Sequence, residues 1–330
     1  MRRRQRHAPP HLPEAGAAGS ISCPSFEGFR PVACDLTGFF RPKVQNCPEK
    51  HYNSRAHKAL RAVVFCLIAT VESVNKSRLA LPRALVRQEP RETEVAFQRR
   101  MHAQLKTVLA PDEAAILDAG SEIADVLAAG LERCKQRGPT SFCGRHNALP
   151  EYKGRGAHPE YGERVRPLPR WYGRRDIAAP PPDDSAHWND GRYTMRARLY
   201  NNLVLSTAKQ GSRSFHCIVI YDPRYQQPLV LLTDLGVTAY ALWRLYRDRW
   251  PIEQVPLLAK QILGAERASV FGRESRFRLP ELALLARNVH SYVAGYHQPI
   301  GTGFWDRCSR PTCGRRGRAL ARLNFSNLAL

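Results

Sequence analysis

The stretch LYRDRWPIEQVPLLAKQILG, residues 245–264, decides the reading of this chain. It spaces Tyr246, Arg249, Glu253 and Lys260 by three, four and seven residues. Those steps keep the four side chains on roughly one face of a helix. One carboxylate then lies among two cations and a phenol. Such a grouping suits a metal-bound phosphodiester, with the acid on the metal and the cations and hydroxyl on phosphates. The plain alternative is a solvated helix face with an Arg249–Glu253 ion pair, and for any one of the four residues alone it is the better reading. Pro251 stands two residues before Glu253 and either opens a helix at its first turn or kinks one. In the first case Tyr246 and Arg249 belong to a preceding helical piece.

The spacing Y-(2)-R-(3)-E-(6)-K resembles the signature of the DDE transposases of the IS-four family of bacterial insertion sequences. The flanks are similar as well: an apolar strand, PLVLLTDL, precedes the signature, and RWPIE carries the glutamate. The resemblance covers roughly residues 25–300. It implies an RNase H-like catalytic domain, an Asp-Asp-Glu triad holding two divalent metals (Mg2+ or Mn2+), and a DNA-end substrate. Glu253 would be the glutamate of that triad. The region before Asp35 is shorter than the separate N-terminal DNA-binding domain that many members carry.

Composition agrees with a polyanionic partner. The chain has 330 residues, with 51 Lys plus Arg against 29 Asp plus Glu, for a net charge of +22. Each phosphate neutralised by such a surface releases counterions, which favours nucleic acid. A ribosome-associated or merely basic protein is the bland alternative. The nine cysteines are scattered and odd in number, without a C-x-x-C pair, which fits free thiols in a reducing cytosol. Cys308 and Cys313 lack two further ligands at zinc spacing. No apolar segment follows the basic N-terminus as a signal peptide requires, and AVVFCLIATV (62–71) is too short to span a bilayer.

An α/β order follows from the chain's periodicities. RPVACDLT (30–37) reads as a strand. AVVFCLIATVES and SRLALPRALVR read as a hairpin. PRETEVAFQRRMHAQLKTVL (90–109) has helical periodicity, with acids early and bases late as the helix dipole favours. AAILDAG (114–120) reads as a strand and IADVLAAGLERC as a second helix.

Open α/β sheets gather their sites at strand ends. In the RNase H-like arrangement that the resemblance implies, the first acid lies on the first, central strand and the second ends the fourth strand beside it. Asp35 in VACDLTG and Asp118 in AILDAG meet that pattern. Either could instead satisfy backbone donors at a strand exit. Asp234 in LVLLTDL is the chief competitor, with a turn or cap before the helix near Thr238 as its plain reading. Asp125 and Asp222 lack the strand-end context.

Basic, proline-rich and aromatic sequence fills 147–215, and LYNNLVLSTA, HCIVIYD and LVLLTDL read as strands. A β-rich insertion facing DNA is expected, in keeping with the resemblance. Trp171 and Trp188 could stack on an unpaired base, although packing is the better reading for each. PELALLARNVHSYVAGYHQ reads as an amphipathic helix carrying His290 and His297.

The expected fold is therefore α/β, an RNase H-like mixed sheet flanked by helices with a β-rich insertion between the second Asp and the Glu. The expected division is a disordered basic arm at 1–24, the first part of the catalytic domain at 25–146, and an insertion with its return strand at 147–233. The catalytic helices with Glu253 follow at 234–300, then a basic tail at 301–330. The expected function is metal-dependent cleavage and transfer of DNA strands at insertion-sequence ends. Asp35, Asp118 and Glu253 hold Mg2+ or Mn2+ in this reading, while Tyr246, Arg249 and Lys260 contact DNA. The expected partners are transposon-end duplex and target DNA, with a homodimer in the DNA complex and no membrane. The expected location is the bacterial cytoplasm, at the nucleoid. An inactive DNA-binding remnant and a related RNase H-like nuclease are the alternatives.

Overall fold

The structure, a computed structural model, describes residues 21–44, 47, 49–74, 77–131, 134–137, 143–146, 161–205, 214–266, 272–296, 301, 305 and 314–315. Its first part runs β1 (Ile21–Ser22), β2 (Arg30–Phe40), β3 (Lys50–Asn53), β4 (Lys58–Val74), β5 (Ser77–Arg87), α1 (Glu94–Val108), β6 (Glu113–Leu117), α2 (Ile123–Ala128) and β7 (Cys134–Arg137). A run of strands follows: β8 (Cys143–His146), β9 (Tyr161–Val165), β10 (Arg170–Tyr172), β11 (Arg175–Ile177), β12 (Asp184–Asp190), β13 (Tyr193–Val204), β14 (Phe215–Tyr221) and β15 (Leu229–Thr233). The helices α3 (Ala239–Arg247), a 3-10 turn at Trp250–Glu253, α4 (Gln254–Gln261) and α5 (Arg273–Tyr296) come last.

The fold is mixed α/β around one large mixed sheet. Its first half has the strand order β5-β4-β2-β6-β7. β4 runs antiparallel to its neighbours β2 and β5, whereas β2, β6 and β7 run parallel. The later strands extend the same sheet: β15 pairs antiparallel with β7, then β14 and β13 follow. β8 lies within 25–146 by sequence, yet it pairs with β13 and β9 among these later strands.

Side-chain alternation sorts the central strands into two faces. From β2, Val32 and Cys34 pack with Phe97, Met101 and Leu105 of α1. Ala33 and Phe39 point the other way and pack with Ile252, Val255 and Ala259. From β6, Ala115 and Leu117 join the α1 face, while Ala114 and Ile116 pack with Leu242, Leu245 and Tyr246 of α3. The signature segment thus covers one face of the sheet, and α1 with α2 covers the other. Phe39 and Phe65 meet edge to face at 5.8 Å, a contact worth about 0.5–1.5 kcal/mol beyond its buried area.

Polar anchors hold the signature layer down. Arg78 on β5 bridges to the buried Asp248 at 3.1 Å, where α3 ends. Arg41, buried just after β2, donates to the Ala265 carbonyl at 2.6 Å and fixes the chain beyond α4. On α5, Arg287 donates to the Ala80 carbonyl of β5 at 2.8 Å. Thr238 caps α3 by accepting from the Ala241 N–H, and Glu27 in turn accepts from the Thr238 N–H at 2.8 Å.

Three elements differ from the sequence expectation. The second helix ends at Ala128 instead of running to Cys134, because Gly130 takes a left-handed φ of 67° that closes the helix, and Cys134 then opens β7. β2 continues three residues past Thr37, through Gly38-Phe39-Phe40. α5 begins at Arg273, so Pro280 lies inside it rather than at its start. The N-terminal arm before Ile21, most of the tail, His297, Cys308 and Cys313 lie outside the described residues. Among the described residues no helix is long and apolar enough to cross a membrane.

Candidate active site

β2 and β6 run parallel, with Ala33 level with Ile116. Two residues further along that register, Asp35 stands level with Asp118. Asp35 shares its face with Ala33 and Phe39, and Asp118 follows the Ile116 side by alternation. Asp35 therefore points toward the layer that carries Glu253, and Asp118, one residue past β6, lies close enough to act on its carboxyl.

The break that Pro251 suggested is present. α3 ends at Arg247, the Arg249 N–H bonds the Tyr246 carbonyl at 3.1 Å, and the 3-10 turn carries Glu253 directly into α4. Tyr246, Arg249, Glu253 and Lys260 thus sit on three consecutive helical pieces rather than one helix. They still converge. The Arg249 guanidinium lies 5.8 Å from the Tyr246 ring and donates to Glu253 Oε1 at 2.6 Å. Lys260 Nζ stands 5.2 Å from the Phe39 ring and 5.4 Å from the Phe40 ring, both on β2, and pairs with Glu266 at 3.6 Å.

The electrostatics bind these groups into one cluster. Asp35 is pushed up to about 7, first by burial and then by the Asp118 carboxylate. Glu253 adds to the rise and Arg249 opposes it. Burial pulls Arg249 down, but Tyr246, Asp35 and Glu253 outweigh it and raise its pKa. Lys260 is lowered by burial, against the pull of Glu266 and Asp35. All six residues singled out in the sequence are electrostatic neighbours within this cluster.

The competitors lie elsewhere. β15 runs antiparallel to β7 and sets Thr233 level with Lys135, itself level with Ile116, so Asp234 leaves the sheet toward the end opposite Asp118. Asp125 pairs with Arg99 at 2.9 Å, and Asp222 is held by Arg224 at 2.8 Å. Trp188 packs at 5.6 Å from Trp243 and 5.9 Å from Tyr240, a core role, while Trp171 on the β10–β11 hairpin is exposed. The backbone-capping reading of Asp118 is also realised, since its Oδ1 accepts from the Gly120 N–H at 2.9 Å.

His51 was not singled out in the sequence. It sits on β3 over Gly38, where an added Cβ would come within 2.8 Å of the His51 Cβ. Burial and then Lys260 lower its pKa, while Glu94 and Asp118 raise it, so the ring is an electrostatic neighbour of Lys260 and Asp118. A glycine in mid-strand often marks such close approach, and Gly38 was the available signal.

Asp118 and Glu253 both raise the proton affinity of Asp35, and three carboxylates so placed are hard oxygen donors suited to a divalent cation. As they stand, no three His, Cys, Asp or Glu side chains among the described residues are close enough together to hold a metal ion. Glu253 is turned to Arg249 instead. The donor chemistry fits a cation, provided that Glu253 exchanges Arg249 for it.

Beside the cluster, Trp243, Tyr246, Arg247, Arg249 and Trp250 line a cavity of about 820 Å3. A scan of the chain against protein-family models finds no match, and a search of curated proteins finds none either.

Proposed function

We propose that this chain is a DNA transposase with an RNase H-like catalytic core, cleaving and transferring strands by metal-dependent phosphoryl transfer. One observation carries the reading: an aspartate on β2 and one just past the end of the parallel β6 share an electrostatic cluster with a glutamate from a Tyr-Arg-Glu-Lys segment. The strand order β5-β4-β2-β6-β7, antiparallel then parallel, supports the RNase H-like assignment. The surplus of cations supports a nucleic-acid substrate.

Asp35, Asp118 and Glu253 would hold Mg2+ or Mn2+, which supplies Lewis-acid stabilisation of the charge that develops on the phosphate. The protein's own groups do the rest. Asp35, with its raised proton affinity, would hold a cation as the carboxylate, its proton passing to solvent. Arg249 releases Glu253 and turns its charge to a phosphate. Lys260, steadied over Phe39 and Phe40, offers a second cation, and the Tyr246 hydroxyl a hydrogen bond. No nucleophilic side chain is required, because water and DNA hydroxyls attack directly.

Glu253 held by Arg249 at 2.6 Å also suits a second reading, a remnant that binds DNA without cutting it. Strand transfer separates the readings. The parent protein, given a pre-cut end from the DNA flanking its own coding sequence, a plasmid target and Mg2+, is expected to yield joined product. A nuclease would only nick, and a remnant would do neither.

A further inference from the structure

A second cavity, of about 940 Å3, opens on the far side of the β-rich region. Its floor belongs to β12, β13 and β14. Arg196 pairs with His187 on one side and Tyr221 on the other, and Arg198 pairs with Ser185 and Val219. Paired residues share a face, so His187, Arg196, Arg198 and Tyr221 project together. Met195 and Ala197, which alternate with the arginines, pack toward α3. The arginine face is therefore the one opposite the Asp35–Asp118–Glu253 cluster.

This face carries a surplus of cations, and the acid that lines its cavity, Asp222, is held by Arg224. Arg196 and Arg198 are exposed, and among the described residues no carboxylate forms an ion pair with Arg192, Arg196 or Arg198. The arginines of the first cavity are different: Arg224 is held by Asp222 and Asp190, Arg247 reaches Asp190, and Arg249 holds Glu253. The two cavities meet. Asp222, Tyr225, Gln226 and Pro228, in the β14–β15 connection, line both, and Tyr225 is 67% exposed at their junction.

We infer that duplex DNA continues from the acidic cluster over the β14–β15 connection onto the β12–β13–β14 face, where Arg196 and Arg198 take its phosphates. Charge complementarity selects this occupant. An exposed arginine pair that forms no ion pair among the described residues gains from each phosphate it neutralises, and the net charge of +22 draws the same polyanion. Arg198 lies 5.5 Å from the Tyr221 ring, which holds its guanidinium in place for a backbone contact. The inference rests on the nucleic-acid reading proposed above and extends the path of that substrate.

The test is a salt titration of binding without divalent metal, using a labelled random-sequence duplex of about 30 base pairs. The Arg196→Gln/Arg198→Gln variant is expected to lower the slope of log K against log salt by about two and to weaken binding on the order of 10- to 100-fold at about 0.1 M salt. Both side chains are exposed, so the variant should unfold at the parent's temperature. A charge-matched control, Arg91→Gln/Lys106→Gln, is expected to bind like the parent. Equal loss in the control, parent-like binding by the arginine variant, or no binding by the parent overturns the inference. So does a matched RNA duplex that binds tighter in an Arg196- and Arg198-dependent way. Cleavage is read separately with metal: a parent that binds through these arginines yet never cuts leaves the path standing and removes the enzymatic reading.

Discussion

Asp35 on β2 and Asp118, the residue that follows β6, fall level when the parallel register of Ala33 with Ile116 is carried on by two residues. Burial and the Asp118 carboxylate together raise the cost of ionising Asp35. A protein gains nothing in stability from such a pair. The arrangement makes sense as a site held ready for positive charge.

The first prediction concerns this cost. The folded-state pKa of Asp35, about 7, lies above the ordinary carboxylate value of 3.8. The native state therefore holds more protons than the unfolded state between those values, and stability falls as pH rises through that window. The loss amounts to about 4 kcal/mol at most, at roughly 1.36 kcal/mol per pH unit. Urea unfolding in EDTA should show Asp35→Asn more stable than the parent at pH 8 and nearly equal at pH 4. An asparagine variant less stable at pH 8 would contradict this.

Gly38 tests the placement of His51. A Cβ at Gly38 would meet the His51 side chain at 2.8–3.0 Å, so Gly38→Ala should cost about 1–3 kcal/mol by overpacking. Gly38→Ala/His51→Gly, which removes the His51 Cβ as well as the ring, should recover most of that loss in a double-mutant cycle. Additive effects would place His51 elsewhere.

Lys260 is packed and charged at once. Lys260→Ala should cost about 0.5–2 kcal/mol through the lost contacts with Phe39 and Phe40. It should also flatten the salt dependence of DNA binding by about one unit of slope. A stability loss with unchanged DNA affinity would mark Lys260 as a structural residue only.

Much of this was legible in the sequence because strong local signals agreed. The apolar runs around Ala33, Phe65 and Ile116 reported the central strands, and the helical run at 90–109 reported α1, which begins later, at Glu94 after its Thr93 cap. The fixed gaps from Tyr246 to Lys260 reported a clustered site, although Pro251 divides the segment into three helical pieces. What escaped was non-local. β7 is a short polar strand, Cys-Lys-Gln-Arg, with no period-2 apolar pattern, and only pairing with β6 and β15 makes it a strand. Gly130 looked like part of a helical run until its left-handed φ ended α2. The joining of the later strands to the first sheet depends on the β7–β15 pairing, which no local pattern reports. The turn of Glu253 toward Arg249 is a choice between partners that spacing alone could not decide.

The most direct test of the central claim is a cleavage assay on DNA carrying the borders of the protein's own coding element, with and without Mg2+ or Mn2+. The account predicts nicks at the element boundary with either metal and none in EDTA. It predicts no nicks from Glu253→Gln, which keeps the fold and DNA binding but loses the charge that holds the cation. A parent protein that binds those ends yet never nicks them under either metal, or a Glu253→Gln variant that nicks as the parent does, would contradict it.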